Sequence, residues 1–326
     1  MTRFLKILAH LGFGLIVIGA GAWAVTALAL HLTGAARIAA IAAVALAGLA
    51  ALGLRFLRSR RLGWAVLALA ALAVGGWYQT ITPRDDRIWE DDVSRGVKAR
   101  VAGDIVTLSD LRDFAWTSET EATERWISRS YDLRQLETVD MFTSVWDNPD
   151  IAHLLVSFGF ANGDHAVFSV EIRREKGEKF NEIGGFFRQF ELVLIGATEE
   201  DIVKLRTNFR REQVRMYPIV LSAAQRREMF LSYVALARRL EARPEFYNTL
   251  TANCTTVVYQ LAKVLKHDLP LDWRLVFSSH LPEYLAQFGV LGGVGTVQAR
   301  EAAALIDARA QDAPPNMPYS MAIRQR

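Results

Sequence analysis

One cysteine occurs in the 326 residues, Cys254. A loop marked by Pro244 and Asn248 precedes it, and Val257-Val258-Tyr259-Gln260-Leu261-Ala262-Lys263-Val264-Leu265 follows with the look of a buried helix. That order places Cys254 in the first turn of the helix. Free N–H groups and the positive end of the helix dipole favour a thiolate there. A thiolate is the nucleophile that thiol enzymes use. The alternative is an inert core cysteine, because free Cys also packs as a small hydrophobe.

A cysteine nucleophile needs a His within hydrogen-bond reach, and that His needs a group to orient it. The chain has six histidines. His10 and His31 fall in apolar N-terminal segments. His267 ends the Cys254 helix, His165 sits in a hairpin turn and reads as solvated, and His280 follows an irregular stretch. His153 remains, in Ile151-Ala152-His153-Leu154-Leu155-Val156-Ser157-Phe158-Gly159-Phe160. Strand alternation puts Leu154, Val156, Phe158 and Phe160 on one face and His153, Leu155 and Ser157 on the other. The next segment repeats the pattern, with Phe168, Val170 and Ile172 opposed to Ser169, Glu171 and Arg173.

Asn162-Gly163 marks the hairpin between them. An odd-numbered loop brings Glu171 to the His153 face. With a loop of residues 162–164, Glu171 pairs with Leu155, one diagonal step from His153. A two-residue Asn-Gly turn instead puts His153 and Glu171 on opposite faces, and a solvated face is the ordinary alternative for Glu171 and Arg173.

The elements that must hold these groups form an α+β arrangement behind a membrane region. Residues 11–32 are a run of about 22 without Lys, Arg, Asp or Glu, and residues 38–54 and 62–78 are runs of about 17, against roughly 17 to 25 needed to span a bilayer. Gly and Ala are frequent in them, which suits close helix packing in lipid. Arg3 and Lys6 precede the first run, and Arg55, Arg58, Arg60 and Arg61 separate the second from the third. Basic loops stay cytoplasmic, so the N-terminus is expected inside and everything after the third span outside.

Short strands are expected from residue 89 to about 195 and helices after 198. Pro218 confines the strand at 214–221 to a sheet edge, and Ser222 caps a helix through residue 240. The expected division is a membrane region 1–82, a soluble domain 83–297, and a C-terminal helix with a disordered Pro-rich tail over 298–326. The net charge of +3 is too small and dispersed for nucleic-acid binding. A lone Cys excludes an internal disulfide framework and a Cys-rich metal site. No HExxH, Walker loop or paired Cys appears, so no cofactor or metal is expected.

Several separated motifs resemble one bacterial family: Thr117-Ser118-Glu119-Thr120-Glu121-Ala122-Thr123-Glu124-Arg125-Trp126, Tyr131-Asp132-Leu133, Ile151-Ala152-His153 with Ser157-Phe158-Gly159-Phe160, Ser169-Val170-Glu171, Leu205-Arg206-Thr207-Asn208, Tyr247-Asn248-Thr249 and Asn253-Cys254-Thr255-Thr256. Together, from about residue 103 to 266, they look like the Lnb N-terminal periplasmic domain. More distantly, a strand His ahead of a Cys at a helix N-terminus resembles the permuted branch of the papain-like NlpC-type thiol hydrolases. That likeness implies an antiparallel sheet packed on helices, Cys254 as nucleophile, His153 as base, Glu171 as third polar group and Asn248 as an oxyanion-stabilising side chain.

The expected function is a membrane-anchored periplasmic thiol hydrolase or acyltransferase. Its expected partners are inner-membrane lipid and a cell-envelope substrate, either a peptidoglycan peptide or an acyl lipid or lipoprotein. The rival is a non-catalytic periplasmic binding or assembly module that retains the fold.

Overall fold

The computed structural model describes residues 3–84, 86–263 and 268–325. His267 therefore lies outside the described residues. The chain forms two compact units, one of residues 1–83 with 181–189 and one of 84–180 with 190–326.

The first unit contains α1 (Arg3–His31), α2 (Gly34–Leu57) and α3 (Arg60–Gln79). All three are long and apolar enough to cross a membrane, and each runs past the charge-free stretch that announced it. Most of their large apolar side chains face outward, the reverse of a water-soluble bundle. Phe13, Val17 and Ala51 pack between them. Gly63 lets α3 approach α2 closely, because a Cβ there would stand 2.6 Å from that of Arg55. Segment 181–189 belongs to this unit. Its Phe187 carbonyl accepts from His31 Nε2 at 2.6 Å, and Arg188 donates to the Tyr78 carbonyl at 3.1 Å.

The second unit is built on strands β1 (Lys98–Ala102), β2 (Ile105–Arg112), β3 (Ala115–Trp116), β4 (Ala122–Thr123), β5 (Trp126–Asp132), β6 (Leu136–Val145), β7 (His153–Phe160) and β8 (His165–Arg173). The short helix α4 (Glu182–Phe186) lies in the segment given to the first unit, and the chain re-enters the sheet as β9 (Glu191–Ala197). Then come α5 (Glu199–Lys204), a wide turn Leu205–Phe209, β10 (Gln213–Pro218), α6 (Ala223–Ala242), α7 (Cys254–Ala262), α8 (Leu281–Gln287), α9 (Val297–Ala304), α10 (Asp307–Gln311) and α11 (Tyr319–Ala322). The main sheet runs β1-β2-β9-β8-β7-β6-β10, with β5 also paired to β2. Every pairing in it is antiparallel except a single parallel bridge between β2 and β9. Pro218 ends β10, an outer strand, where a missing N–H costs nothing.

Both faces of the sheet are buried. On one, Phe158 and Phe168 meet Phe230 and Tyr233 of α6. On the other, Leu155, Val167 and Ile195 pack with Ile202, Val203, Ile306 and Tyr319. The tail read as disordered is in fact part of that second layer. Tyr319 is 3% exposed and Ile323 fully buried, and such side chains each contribute about 1.5–3 kcal/mol on burial. The single helix expected over 298–312 breaks into α9 and α10 because the backbone between them pairs with β10: the Ile306 N–H donates to the Val214 carbonyl, and Leu305 bridges Arg215.

Candidate active site

Cys254 is the first residue of α7. Asn253 caps the helix, its Oδ1 accepting the N–H groups of Thr255 and Thr256, while the Thr256 hydroxyl accepts the Asn253 N–H in return. Two first-turn donors are thus consumed by the cap. The Cys254 N–H is the donor that the cap leaves. The loop before it is pinned to the sheet, with the Tyr247 N–H donating to the Phe190 carbonyl and Phe246 bridging Glu191.

Asn248 shapes that loop. Its backbone pairs with Ala252 in both directions, and its Oδ1 accepts from the N–H groups of Leu250 and Thr251. The carbonyl half of this side chain is spent on the turn; an oxyanion role would fall to its Nδ2.

His153 opens β7 and Glu171 lies near the end of β8. The hairpin differs from the expected one. Phe160 closes the loop against Asp164, so residues 161–163 form the turn, with the Gly163 N–H bonded to the Phe160 carbonyl and Gly163 at φ +85°. A type I turn followed by a left-handed residue fits that loop, and Gly takes the position without strain. The register therefore moves by two residues. Leu155 pairs with Ser169, not Glu171. Two residues further along, Glu171 falls opposite His153 itself.

The side chains meet accordingly. His153 Nε2 stands 3.0 Å from Glu171 Oε1 and 2.7 Å from the Ser169 hydroxyl, which itself donates to Glu171 at 2.7 Å. With Nε2 engaged, Nδ1 is the nitrogen left for the thiol, and the imidazole lies near enough to the Cys254 sulfur for each to shift the other's ionisation. The Leu154 N–H favours the ionised sulfur as well, and the Thr255 hydroxyl lies 3.9 Å from it.

Arg206, in the wide turn, reaches Glu171 at 3.2 Å. Sequence reasoning did not place Ser169 or Arg206 in the site, although both stand in the motifs Ser169-Val170-Glu171 and Leu205-Arg206-Thr207-Asn208. His165, read as solvated, is instead largely buried, 4.0 Å from Glu199. His280 bonds Asp150 at 3.1 Å, away from the thiol.

The electrostatics favour a charge-separated pair. Burial alone would push the His153 imidazole down, but the Glu171 charge and the bonds to Cys254 and Glu171 raise it to about 9. Burial would likewise raise Glu171, yet His153, Arg206 and Ser169 hold it well below its ordinary value. For Cys254 burial also opposes ionisation. The His153 bond and charge, then the Leu154 N–H and Thr255, outweigh it and lower the thiol. A raised imidazole beside a lowered, partly exposed thiol at a helix N-terminus is the arrangement that favours a nucleophilic cysteine.

A cavity of about 300 Å³ adjoins α7. Val139, Leu154, Val156, Met229, Val258 and Leu281 are among its walls, and Gln225 and Thr255 are polar exceptions. Cys254 and His153 are not among its walls, but Thr255, which is, follows Cys254 directly in α7. Among the described residues, no cluster of His, Cys, Asp and Glu is arranged to hold a metal.

Comparison with curated proteins and with solved structures finds no match. A family model does match, over residues 122–279, a span beginning later and ending further on than the motifs implied. It takes in His153, Glu171, Arg206 and Cys254 together, and that stretch of the chain matches the Lnb N-terminal periplasmic domain.

Proposed function

We propose that this protein is a membrane-anchored thiol hydrolase or acyltransferase of the bacterial cell envelope. Its N-terminus would lie in the cytoplasm, its helices in the inner membrane and its soluble domain, centred on residues 83–297, in the periplasm. The observation that carries the reading is the Cys254–His153–Glu171 grouping: a depressed thiol, an elevated imidazole, and a half-buried carboxylate 3.0 Å from that imidazole. The order of His before Cys is also that of the permuted papain-like enzymes.

In this reading the Cys254 thiolate attacks a carbonyl carbon, and the carbonyl electron pair moves to oxygen. The Cys254 N–H and Asn248 Nδ2 are the donors available to that oxyanion. As the tetrahedral species collapses, the carbon–heteroatom bond breaks, and His153 passes its proton to the leaving group. Water or an amine, deprotonated by the now neutral His153, then attacks the thioester and frees the thiol. Glu171 keeps the ring oriented and stabilises its cation, with Ser169 and Arg206 fixing Glu171. Between a peptidoglycan peptide and an acyl lipid, the apolar cavity that adjoins α7 favours the acyl chain.

The test is incubation of the full-length protein with p-nitrophenyl decanoate, followed by mass spectrometry of the Cys254 peptide. A decanoyl adduct on Cys254, absent from Cys254→Ser, is expected. No adduct, together with a thiol that alkylates no faster than free cysteine, would refute catalysis and leave a binding module. Orientation has its own test: a reporter fused after Arg326 should be active in the periplasm and one after Arg58 in the cytoplasm. The reverse pattern would sink the assignment of compartment.

A further inference from the structure

Near the His153 end of the sheet, two loops are laced together. The Ser278 hydroxyl donates to the Ala152 carbonyl and accepts the Ala152 N–H, the Ser279 N–H donates to the Asp150 carbonyl, and His280 reaches the Asp150 carboxylate. These bonds fix the loops but leave their apolar side chains outside. Trp146, Ile151, Leu271, Trp273, Val276 and Phe277 are all exposed, Leu271 by 83% and Trp273 by 55%. The Trp273 and Phe277 rings pack with centroids 5.9 Å apart, their planes tilted by 58°. Of the charges interspersed among them, Arg274 makes a two-pronged bond to Asp272 and His280 reaches Asp150, while Asp147 and Asp268 add negative charge. Leu269 and Leu275 of the same stretch turn inward to wall the apolar cavity. The exposed group is thus continuous with the lining of the cavity that adjoins α7.

An apolar surface of this kind marks an interaction site. We infer that it docks on the lipid bilayer, its Trp and Phe rings lying at the level of the headgroups. Three observations choose lipid over a protein. The first is the tether. Trp89, which is bridged to Glu175 of the soluble fold, stands ten positions along the chain from Gln79, the end of α3. Ten residues reach at most about 35 Å, so the soluble fold cannot leave the membrane that holds α1 to α3. A second connection is shorter still: Gln189 of the membrane unit is bonded to Phe190, whose carbonyl accepts the Tyr247 N–H of the Cys254 loop.

The second observation is composition. Two Trp and a Phe among aliphatic residues, on loop tips, are the make-up of interfacial anchors. The third is continuity with the cavity, whose walls include Leu269 and Leu275 of the same stretch and which offers an apolar space to molecules from the bilayer. The inference concerns the surface and holds whether or not Cys254 is catalytic.

Site-specific labelling tests it. Because Cys254 is the sole cysteine, Cys254→Ser supplies a thiol-free full-length chain. Into it Trp146→Cys, Trp273→Cys and Phe277→Cys are introduced singly, with Asn162→Cys in the turn at the far end of β7 as control. Each variant is labelled with a polarity-sensitive fluorophore and reconstituted in phosphatidylethanolamine–phosphatidylglycerol vesicles carrying nitroxide lipids. The labels at 146, 273 and 277 should shift to the blue and lose emission to the lipid nitroxide, while the label at 162 should do neither. Equal behaviour at all four positions overturns the proposal. So does a blue shift without nitroxide quenching, because a protein partner or a second copy of the chain would then be covering the surface.

Discussion

Replacing His153 by Ala isolates what the imidazole does for the thiol. In the wild type the His153 bond and charge are the first two influences that lower Cys254, ahead of the Leu154 N–H and the Thr255 hydroxyl, and together they overcome burial. Without them burial faces only the two weaker donors. The thiol should then return to or above the free-cysteine value of about 8.5, where the thiolate fraction at pH 6 is only about 0.3%. Each unit of depression in the wild type multiplies that fraction about tenfold. Alkylation by iodoacetamide at pH 6 should therefore slow by at least about tenfold in His153→Ala, with thiolate absorbance near 240 nm lost over the same range. At pH 10 the two proteins should converge. Reaction of the folded mutant at pH 6 as fast as wild type would show that His153 does not ionise Cys254, and the grouping would be wrong.

Glu171→Gln should leave the thiol in place but strip the imidazolium of its counter-charge. His153 is raised to about 9 in the wild type, so the ion pair persists below that pH and is lost on the way up through it; the alkaline limb of acyl-ester hydrolysis should move from near pH 9 toward or below the ordinary His value of about 6.5. An unmoved limb would remove Glu171 from the grouping. Val258→Phe fills part of the apolar cavity, and it should slow turnover of p-nitrophenyl decanoate while sparing the acetate ester; equal losses on both would dissociate the cavity from the substrate. Arg324 joins the buried Glu199 and Asp140 at 2.7 Å, so Arg324→Ala strands two interior carboxylates and should cost about 3 kcal/mol in urea denaturation. A midpoint within error of wild type would contradict that accounting.

What could be read from the sequence was local. Asn253-Cys254-Thr255-Thr256 carries its own helix start, because the cap and its reciprocal partner lie three residues apart. Alternation along residues 151–172 set the faces, and Pro218 found its edge. The exact register was out of reach, since it depends on Gly163 taking the left-handed position in a turn of residues 161–163. Arg206 was hidden for another reason: it enters the site from a wide turn well separated in sequence from both His153 and Cys254. The tail was misread because its Pro and Ala composition offers no local order. Its structure comes from distant partners, with Tyr319 bonded to Thr207 and Arg324 to Glu199.

That tail has a consequence for biosynthesis. The sheet layer that holds Leu155, Ser157 and Glu199 is closed by Tyr319, Ile323 and Arg324. These residues follow the whole sheet through the ribosome. Until they arrive, a row of apolar side chains and the Glu199 carboxylate stand bare on the nascent domain. The domain must therefore mature late, after residues 319–324 have been made, and products cut short before them are expected to be degraded rather than to accumulate.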